Sequence, residues 1–533
     1  MALISLTTIL LTLQLALTVT LGASGHLKCT PESFTSNLPP SATLEAVSRV
    51  PENGTYGEGP LVDIPHPENA TNIPSLCAVT VRVQSSPSSS YRLGLFLPDH
   101  YESRFLMIGN GGFGGGIHWF DMAIGPRNGM AALSTDTGHN SSATEADWAL
   151  NHPEKQIDWG WRAVHGSAEL GKDIITAYYG KSPGHSYFMG CSTGGRQGLK
   201  EAQNFPETFD GVIIGAPAWW TTHLNPFLTR VGLTNLSPTS PTYISPTLFP
   251  IISQHVLFQC DALDGHIDKI ISRPDLCHPD FSPLLCSSSS SSSSPCLTQS
   301  QITTLQNLYS PPTNIHPGLS PSSEPQFSSL LSNTLSPYGL GYIRDFLLNN
   351  PTFSPQDAST LDSLITLADQ LNPGNASANY FEGMIDYAKR GGKVLLYHGM
   401  ADGLVPMDGT ILFYTKTVET LDKLGMVPEI DDWMRMFLIP GMQHCFGTPV
   451  EVGTNAPWYF EGPFQGFSLK SLPDEQTQDG NVIRQMIQWV EEGNQVDNMV
   501  ARTWKDSFDP ESEGKKVANI SKWKGNWEST YDA

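Results

Sequence analysis

Short apolar runs and helix-length amphipathic stretches take turns along much of this chain. Between Cys29 and Pro217 the runs RFLMIG (Arg104–Gly109), SYFMG (Ser186–Gly190) and GVIIG (Gly211–Gly215) each close on a glycine. Such runs predict strands, and the stretches Ala163–Tyr179 and Thr193–Asn204 between them carry helical patterns. Strands alternating with helices predict a mostly parallel sheet. From Ala218 to Lys389 the rhythm stops. This segment holds four of the eight cysteines, many prolines and the octaserine Ser287–Ser294, and reads as an inserted domain with irregular parts. Cys286 and Cys296 flank the serine run and could close it as a small ring; a linker between two domains is the alternative. From Gly392 the rhythm returns, with strands at KVLLY (Lys393–Tyr397) and RMFLI (Arg435–Ile439) and helices at Thr410–Leu424 and Asn481–Glu491. The expected organisation is a core in two parts, residues 23–217 and 390–533, interrupted by an insertion over 218–389.

One apolar run differs from the rest. Ala2 to Leu21 is followed by Gly22, Ala23, Ser24 and Gly25, with no basic cluster behind it. It reads as a secretory signal peptide over residues 1–22, with a single membrane anchor as the alternative. No later stretch reaches the roughly 20 apolar residues that span a bilayer. Six N-x-[S/T] sequons, at Asn53, Asn69, Asn140, Asn235, Asn375 and Asn519, suggest glycosylation. Eight cysteines, an even number with no C-x-x-C pair, predict four disulfides rather than a zinc or redox site. The chain is therefore expected to be extracellular. Its 533 residues, 39% hydrophobic, suffice for a large core. A formal net charge of −22 repels nucleic acid and anionic membranes, so neither is expected as a partner.

The chemistry centres on Gly190-Cys191-Ser192-Thr193-Gly194, a G-x-S-x-G segment between a predicted strand and a predicted helix. That context predicts a nucleophile elbow. So tight a turn needs small flanking residues and exposes the Ser192 oxygen at the carboxyl end of the sheet. The helix behind it favours negative charge at its N-terminus. The bland alternative is a serine that merely makes a glycine-rich turn. A serine hydroxyl is a poor nucleophile until a base takes its proton. Among 15 histidines, His444 is the candidate base, because it follows the strand RMFLI and the turn Pro440–Gln443. Asp402 lies just past KVLLY and is the candidate acid that holds the imidazole in its useful tautomer; the alternative is a turn aspartate. The order Ser, Asp, His is that of α/β-hydrolases. Cys191 precedes the serine and Cys445 follows the histidine, so if the two meet, a Cys191–Cys445 disulfide becomes geometrically possible. For the oxyanion, the Thr193 N–H is one candidate donor and Gly111 or Gly112 the other. The segment Cys260–Ile270 (CDALDGHIDKI) sets Asp261, Asp264 and Asp268 around Gly265. This suits a hard cation such as Ca²⁺, or is an acidic surface turn.

The Cys-Ser, Asp and His-Cys arrangement resembles the fungal and bacterial tannase/feruloyl esterase family over nearly the whole mature chain. The sharpest matches are Gly109–Gly112 (GNGG), Ser134–His139 (STDTGH), Gly190–Gly198 (GCSTGGRQG) and Gly441–Cys445 (GMQHC). The resemblance implies an α/β fold, an α/β-hydrolase core with a large inserted lid. It also implies a serine carboxylic-ester hydrolase acting on hydroxycinnamate or gallate esters. Release of ferulic acid from plant cell-wall polysaccharide esters is the expected activity, with gallate esters of tannins as the alternative. A non-catalytic phenolic- or carbohydrate-binding relative would need a broken triad, which this chain does not have. No cofactor is expected in the chemistry. The resemblance also implies a structural calcium in the lid, held by the Asp261, Asp264 and Asp268 side chains and the His266 and Ile270 carbonyls. With proximity along the chain, it implies the disulfides Cys29–Cys77, Cys260–Cys277 and Cys286–Cys296. Asp136 and His139, which precede Ser192, read as structural. Trp219 and Trp220, at the start of the insertion, read either as walls of an aromatic acyl pocket or as core.

Overall fold

The computed structural model describes residues 27–59, 69–287, 295–311, 315–355, 357–425, 429–449, 456–465, 480–504, 516–525, 527 and 531–532. The expected signal peptide and most of the serine run, 288–294, lie outside them. In chain order the strands are β1 (Ala42–Val50), β2 (Gly54–Tyr56), β3 (Ala70–Ile73), β4 (Leu76–Ser86), β5 (Ser89–Pro98), β6 (Arg104–Ile108), β7 (Met130–Thr135), β8 (His185–Cys191), β9 (Gly211–Gly215), β10 (Lys393–Gly399), β11 (Met434–Ile439), β12 (Asn498–Thr503), β13 (Lys516–Ser521) and β14 (Tyr531–Asp532). Nine of them form one sheet in the order β1-β4-β5-β7-β6-β8-β9-β10-β11. From β7 to β11 every neighbouring pair is parallel. The arm β1, β4 and β5 runs antiparallel and joins through β7.

The parallel strands read as unbroken apolar runs because both faces of the sheet are covered. Alternate residues enter different cores. Phe105, Met107, Val212, Ile214, Val394 and Leu396 pack on one face with the helices Ala163–Tyr179 and Met407–Lys423. Leu106, Ile108, Ile213, Leu395 and Tyr397 pack on the other with the helix Val482–Glu492. The helices Ala163–Tyr179 and Thr193–Asn204 have their predicted bounds. Asn481, expected inside the last helix, instead caps it by accepting the Ile483 and Arg484 N–H groups.

β9 and β10 are adjacent, Lys393 opposite Gly211, although 177 residues separate Gly215 from Lys393. The described residues between them form helices and turns beside one isolated bridge, Leu285 with Leu297. They have an apolar cluster of their own, including Leu224, Phe227, Ile252, Phe327 and Leu330. A second cluster joins Tyr342 and Phe346 of this segment to Phe113 and Trp159 of the sheet's loops and helices. Disulfides pair all eight cysteines: Cys29–Cys77, Cys191–Cys445, Cys260–Cys277 and Cys286–Cys296.

Of the sequons, Asn53, Asn140, Asn375 and Asn519 are exposed and Asn69 is half-buried. Asn235 corrects the expectation from sequence. It is fully buried, and its amide donates to the Ile244 and Leu331 carbonyls at 3.0 and 3.2 Å. A glycan on that nitrogen has no way out of the fold, and both hydrogens are already used.

Candidate active site

Ser192 sits directly on the end of β8, with φ 61° and ψ −121°, and the helix Thr193–Asn204 begins at the next residue. Few side-chain-bearing residues adopt this backbone, and such strain typically costs about 1–3 kcal/mol. Its neighbours show why only small residues fit. A Cβ on Gly190 would lie 2.6 Å from the Gly194 backbone, and one on Gly194 would lie 2.9 Å from the Asn110 carbonyl. The turn is held by Ser192 N–H donating to the Gly215 carbonyl at 2.9 Å and by Ala218 N–H donating to the Ser192 carbonyl at 3.0 Å.

Asp402 lies in the turn after β10 and is fully buried. Its Oδ1 accepts the Leu404 and Val405 N–H groups, both at 2.9 Å. Its Oδ2 accepts from His444 Nδ1 at 2.7 Å and from His398 Nε2 at 3.0 Å. His398 Nε2 also faces the Val405 carbonyl at 3.0 Å, so this nitrogen carries the proton. Thr410 Oγ1 lies 2.7 Å from its Nδ1, and its hydroxyl is the donor that completes the ring's bonding. Burial pushes the Asp402 carboxyl up, but the His444 charge and the two imidazole hydrogen bonds outweigh it and hold the group well below the usual carboxylate range. His398 was not singled out from the sequence. Its one sequence signal is its place four residues before the candidate acid.

His444 follows β11, and Cys445 behind it takes a left-handed φ of 65°. The Cys191–Cys445 bridge sets the Cα atoms of the residues beside Ser192 and His444 5.9 Å apart. Since Nδ1 is bound to Asp402, Nε2 is the ring nitrogen left for the serine. Ser192 and His444 line one cavity of about 160 Å³. Among the described residues no hydrogen bond joins Ser192 Oγ to His444 Nε2; such bonds often tighten only when substrate is bound.

Thr193, Gly111 and Gly112 line the same cavity. A Cβ on Gly111 would come within 3.0 Å of the Phe464 ring, and one on Gly112, whose φ is +54°, within 2.5 Å of the Ala143 carbonyl. The other walls are mainly apolar: Phe113, Trp159, Leu224, Leu228, Tyr338 and Phe464 among them. Trp219 and Trp220 are not walls. Trp219 is buried in the sheet's core, donates to the Gly409 carbonyl at 2.8 Å and stacks on Trp220.

Asp136 and His139 stand apart from this network. Asp136 Oδ1 accepts the Arg92 and Gly138 N–H groups, and burial raises its carboxyl to about 7 despite those bonds. His139 stacks on Trp148, and burial lowers its imidazole to about 3. On the acidic loop, Asp261 Oδ1 accepts the Asp268 and Lys269 N–H groups, Asp264 Oδ1 accepts that of His266, and Asp268 Oδ1 that of Ile270. The carboxylates are turned to their own backbone. Among the described residues no three His, Cys, Asp or Glu side chains are gathered as metal ligands. Yet Asp264 Oδ2 is buried without a partner, and burial together with the charges of Asp264 and Asp261 raises Asp268 despite the Ile270 hydrogen bond.

The family model described as tannase and feruloyl esterase matches residues 77–337 and 342–530. The chain belongs to the tannase and feruloyl esterase family. As a member, it is a carboxylic ester hydrolase with an α/β-hydrolase fold. It is 34% identical over 432 residues to the Neosartorya fischeri protein named "Probable feruloyl esterase B-2", covering 78% of this chain and 77% of that one. It is 35% identical over 430 residues to an Aspergillus terreus protein named "Probable feruloyl esterase B-1", with the same shares covered. The crystal structure of feruloyl esterase B from Aspergillus oryzae superposes with a TM-score of 0.81 at 30% identity, over 92% of this chain and 95% of that one. The tannin acyl hydrolase from Aspergillus niger shares the fold, with a TM-score of 0.71 at 21% identity, over 93% and 92% of the two chains.

Proposed function

We propose that this esterase releases ferulic acid from hydroxycinnamate esters of plant cell-wall polysaccharide, with Ser192, His444 and Asp402 as its triad. The observation that carries the substrate reading is the cavity at Ser192 and His444, walled by Phe113, Trp159, Tyr338 and Phe464. Its volume of about 160 Å³ is near the roughly 150 Å³ that accepts one benzene ring. Mainly apolar walls suit a cinnamoyl ring, and the three ring hydroxyls of a gallate need more polar partners than those walls supply. The names of the relatives point the same way.

Ser192 Oγ attacks the ester carbonyl as His444 Nε2 takes its proton. The Thr193 N–H, with Gly111 or Gly112, donates to the oxyanion. The alcohol leaves with the proton from His444, and the feruloyl group remains on Ser192. Water then attacks the acyl-enzyme, giving its proton to His444, and ferulic acid departs as Oγ is reprotonated. Asp402 holds the imidazole and stabilises its charged form. Parallel assays on methyl ferulate and methyl gallate test the reading. Faster turnover of the ferulate, lost in Ser192→Ala, supports it; preference for the gallate overturns it.

Two further readings go with this one. The chain is exported with residues 1–22 removed, which suits four disulfides and predicts a mature N-terminus near Ala23 by mass spectrometry. The acidic loop takes a structural calcium once its carboxylates turn outward: Asp261, Asp264 and Asp268 would hold it with the His266 and Ile270 carbonyls. The unpartnered Asp264 oxygen and the mutual charge of the three carboxylates support this fit. Stoichiometric calcium by elemental analysis, and a melting temperature lowered by EGTA, are expected. A calcium-free protein with unchanged melting would rule it out.

A further inference from the structure

The helix Thr221–Leu233 opens the insertion and turns Thr221, Leu224, Asn225 and Leu228 toward the catalytic cavity. These positions recur at helical spacing on one face. The Thr221 hydroxyl is already bonded to Ser377 Oγ at 2.8 Å, and the two leucines have nothing polar to offer. Asn225 is different. It is only 7% exposed, and its carboxamide makes no hydrogen bond among the described residues. Its backbone belongs to the helix, and its carbonyl also accepts from Thr229 Oγ1 at 3.4 Å. The carboxamide is not among the side-chain atoms sealed from solvent without a partner: it faces the cavity and keeps water there, water it loses when an acyl group fills the space, at a cost unless that group supplies a partner. Asn225 borders the space where the acyl group must lie.

We propose that the Asn225 carboxamide reads the oxygen substituents on the aromatic ring of the acyl group. The inference deepens the hydroxycinnamate reading and rests on it. A carboxamide has both an acceptor oxygen and two N–H donors. It can accept from a phenolic hydroxyl while donating to a neighbouring methoxy oxygen, the pattern that a 4-hydroxy-3-methoxy ring presents. An unsubstituted cinnamoyl ring would pack against the same walls and seal the carboxamide away from water with no partner. Asn225 is thus a specificity residue: it discriminates among acyl groups, and the triad does the chemistry.

The test compares kcat/KM for methyl ferulate, methyl p-coumarate and methyl cinnamate in the wild type, in Asn225→Leu and in Asn225→Ala. Leucine keeps the bulk of the side chain and removes its polarity; alanine removes both. The ratio of two kcat/KM values does not depend on how much of the enzyme is folded, so partial misfolding cannot imitate the result. The wild type is expected to favour the two hydroxylated esters over the cinnamate by roughly ten- to a hundredfold. Both variants should bring that ratio close to one. If the wild type cleaves all three esters without preference, or if both variants keep the wild-type ratio, the assignment of Asn225 is wrong while the proposed function stands. If the wild type cleaves none of the three, the function falls and the assignment falls with it.

Discussion

The bridge between Cys191 and Cys445 lies beside the proposed nucleophile Ser192 and the proposed base His444, and its removal separates two jobs a disulfide can do. In Cys191→Ala/Cys445→Ala, a loop of 254 residues is released. The chain-entropy relation gives about 5–6 kcal/mol for a loop of that length. The two bridges nested inside it, spanning 17 and 10 residues, shorten the effective loop only slightly. Cys29→Ala/Cys77→Ala releases 48 residues and by the same relation costs about 4 kcal/mol. On stability alone the variants should therefore differ by only about 1.5 kcal/mol. On activity they should differ far more. Cys29 and Cys77 do not line the cavity, whereas Cys445 does, next to His444 in the chain. Displacing a catalytic base by about 1 Å can cost roughly a hundredfold in rate. Urea unfolding gives the stabilities, and phosphonate titration of Ser192 counts folded sites. Turnover of methyl ferulate per folded site should fall about a hundredfold in the first variant and stay near wild type in the second. Wild-type turnover per site in the Cys191/Cys445 variant would show that the bridge stabilises the fold without positioning the base.

Asp402→Asn should keep its circular dichroism spectrum and lose roughly 10⁴-fold in kcat, because the amide cannot hold His444 in the same tautomer; a loss below about tenfold would remove Asp402 from the triad. His398→Phe takes one of two imidazole donors from Asp402 Oδ2. It should lower kcat by roughly tenfold with KM unchanged, a size matching one charge-assisted hydrogen bond, and His398→Gln should recover part of that. Equal kcat in all three forms would make His398 a packing residue only. His316 is buried, packs against Phe227, and has its imidazole lowered to about 4 by that burial. Its folded state excludes the proton, so the stability tied to the neutral ring is complete above about pH 6.5 and is lost as pH falls toward 4. Across that window the wild type should lose about 3 kcal/mol more than His316→Asn, measured by urea unfolding at each pH. Parallel curves for the two proteins would refute this.

Much of the framework around Ser192 was legible because its signals are local. β9 and the helices Ala163–Tyr179 and Thr193–Asn204 came with their bounds, since strand and helix periodicity is written in neighbouring residues. The elbow was legible because steric demand on the turn at Ser192 restricts residues 190 and 194 to glycine. The antiparallel arm was not read. β1 alternates between half-buried and exposed positions and pairs with a strand reached only after two others.

By itself, the order of residues determined the elbow, the order of the proposed triad residues, the return of the α/β rhythm after the insertion and the family. Tertiary structure alone decided what each repeated residue type is for. Asn235 and Asn375 carry the same kind of sequon, yet one is sealed in the core and the other faces solvent. Trp219 packs in the sheet's core while Trp159 borders the substrate cavity. His398 became a partner of Asp402, and Asn225 an unpaired amide at the cavity wall, only once distant segments closed around them. Periodicity and turn sterics act between residues a few positions apart. Burial and hydrogen-bond satisfaction depend on whatever the rest of the chain brings near, and no short stretch of sequence contains that.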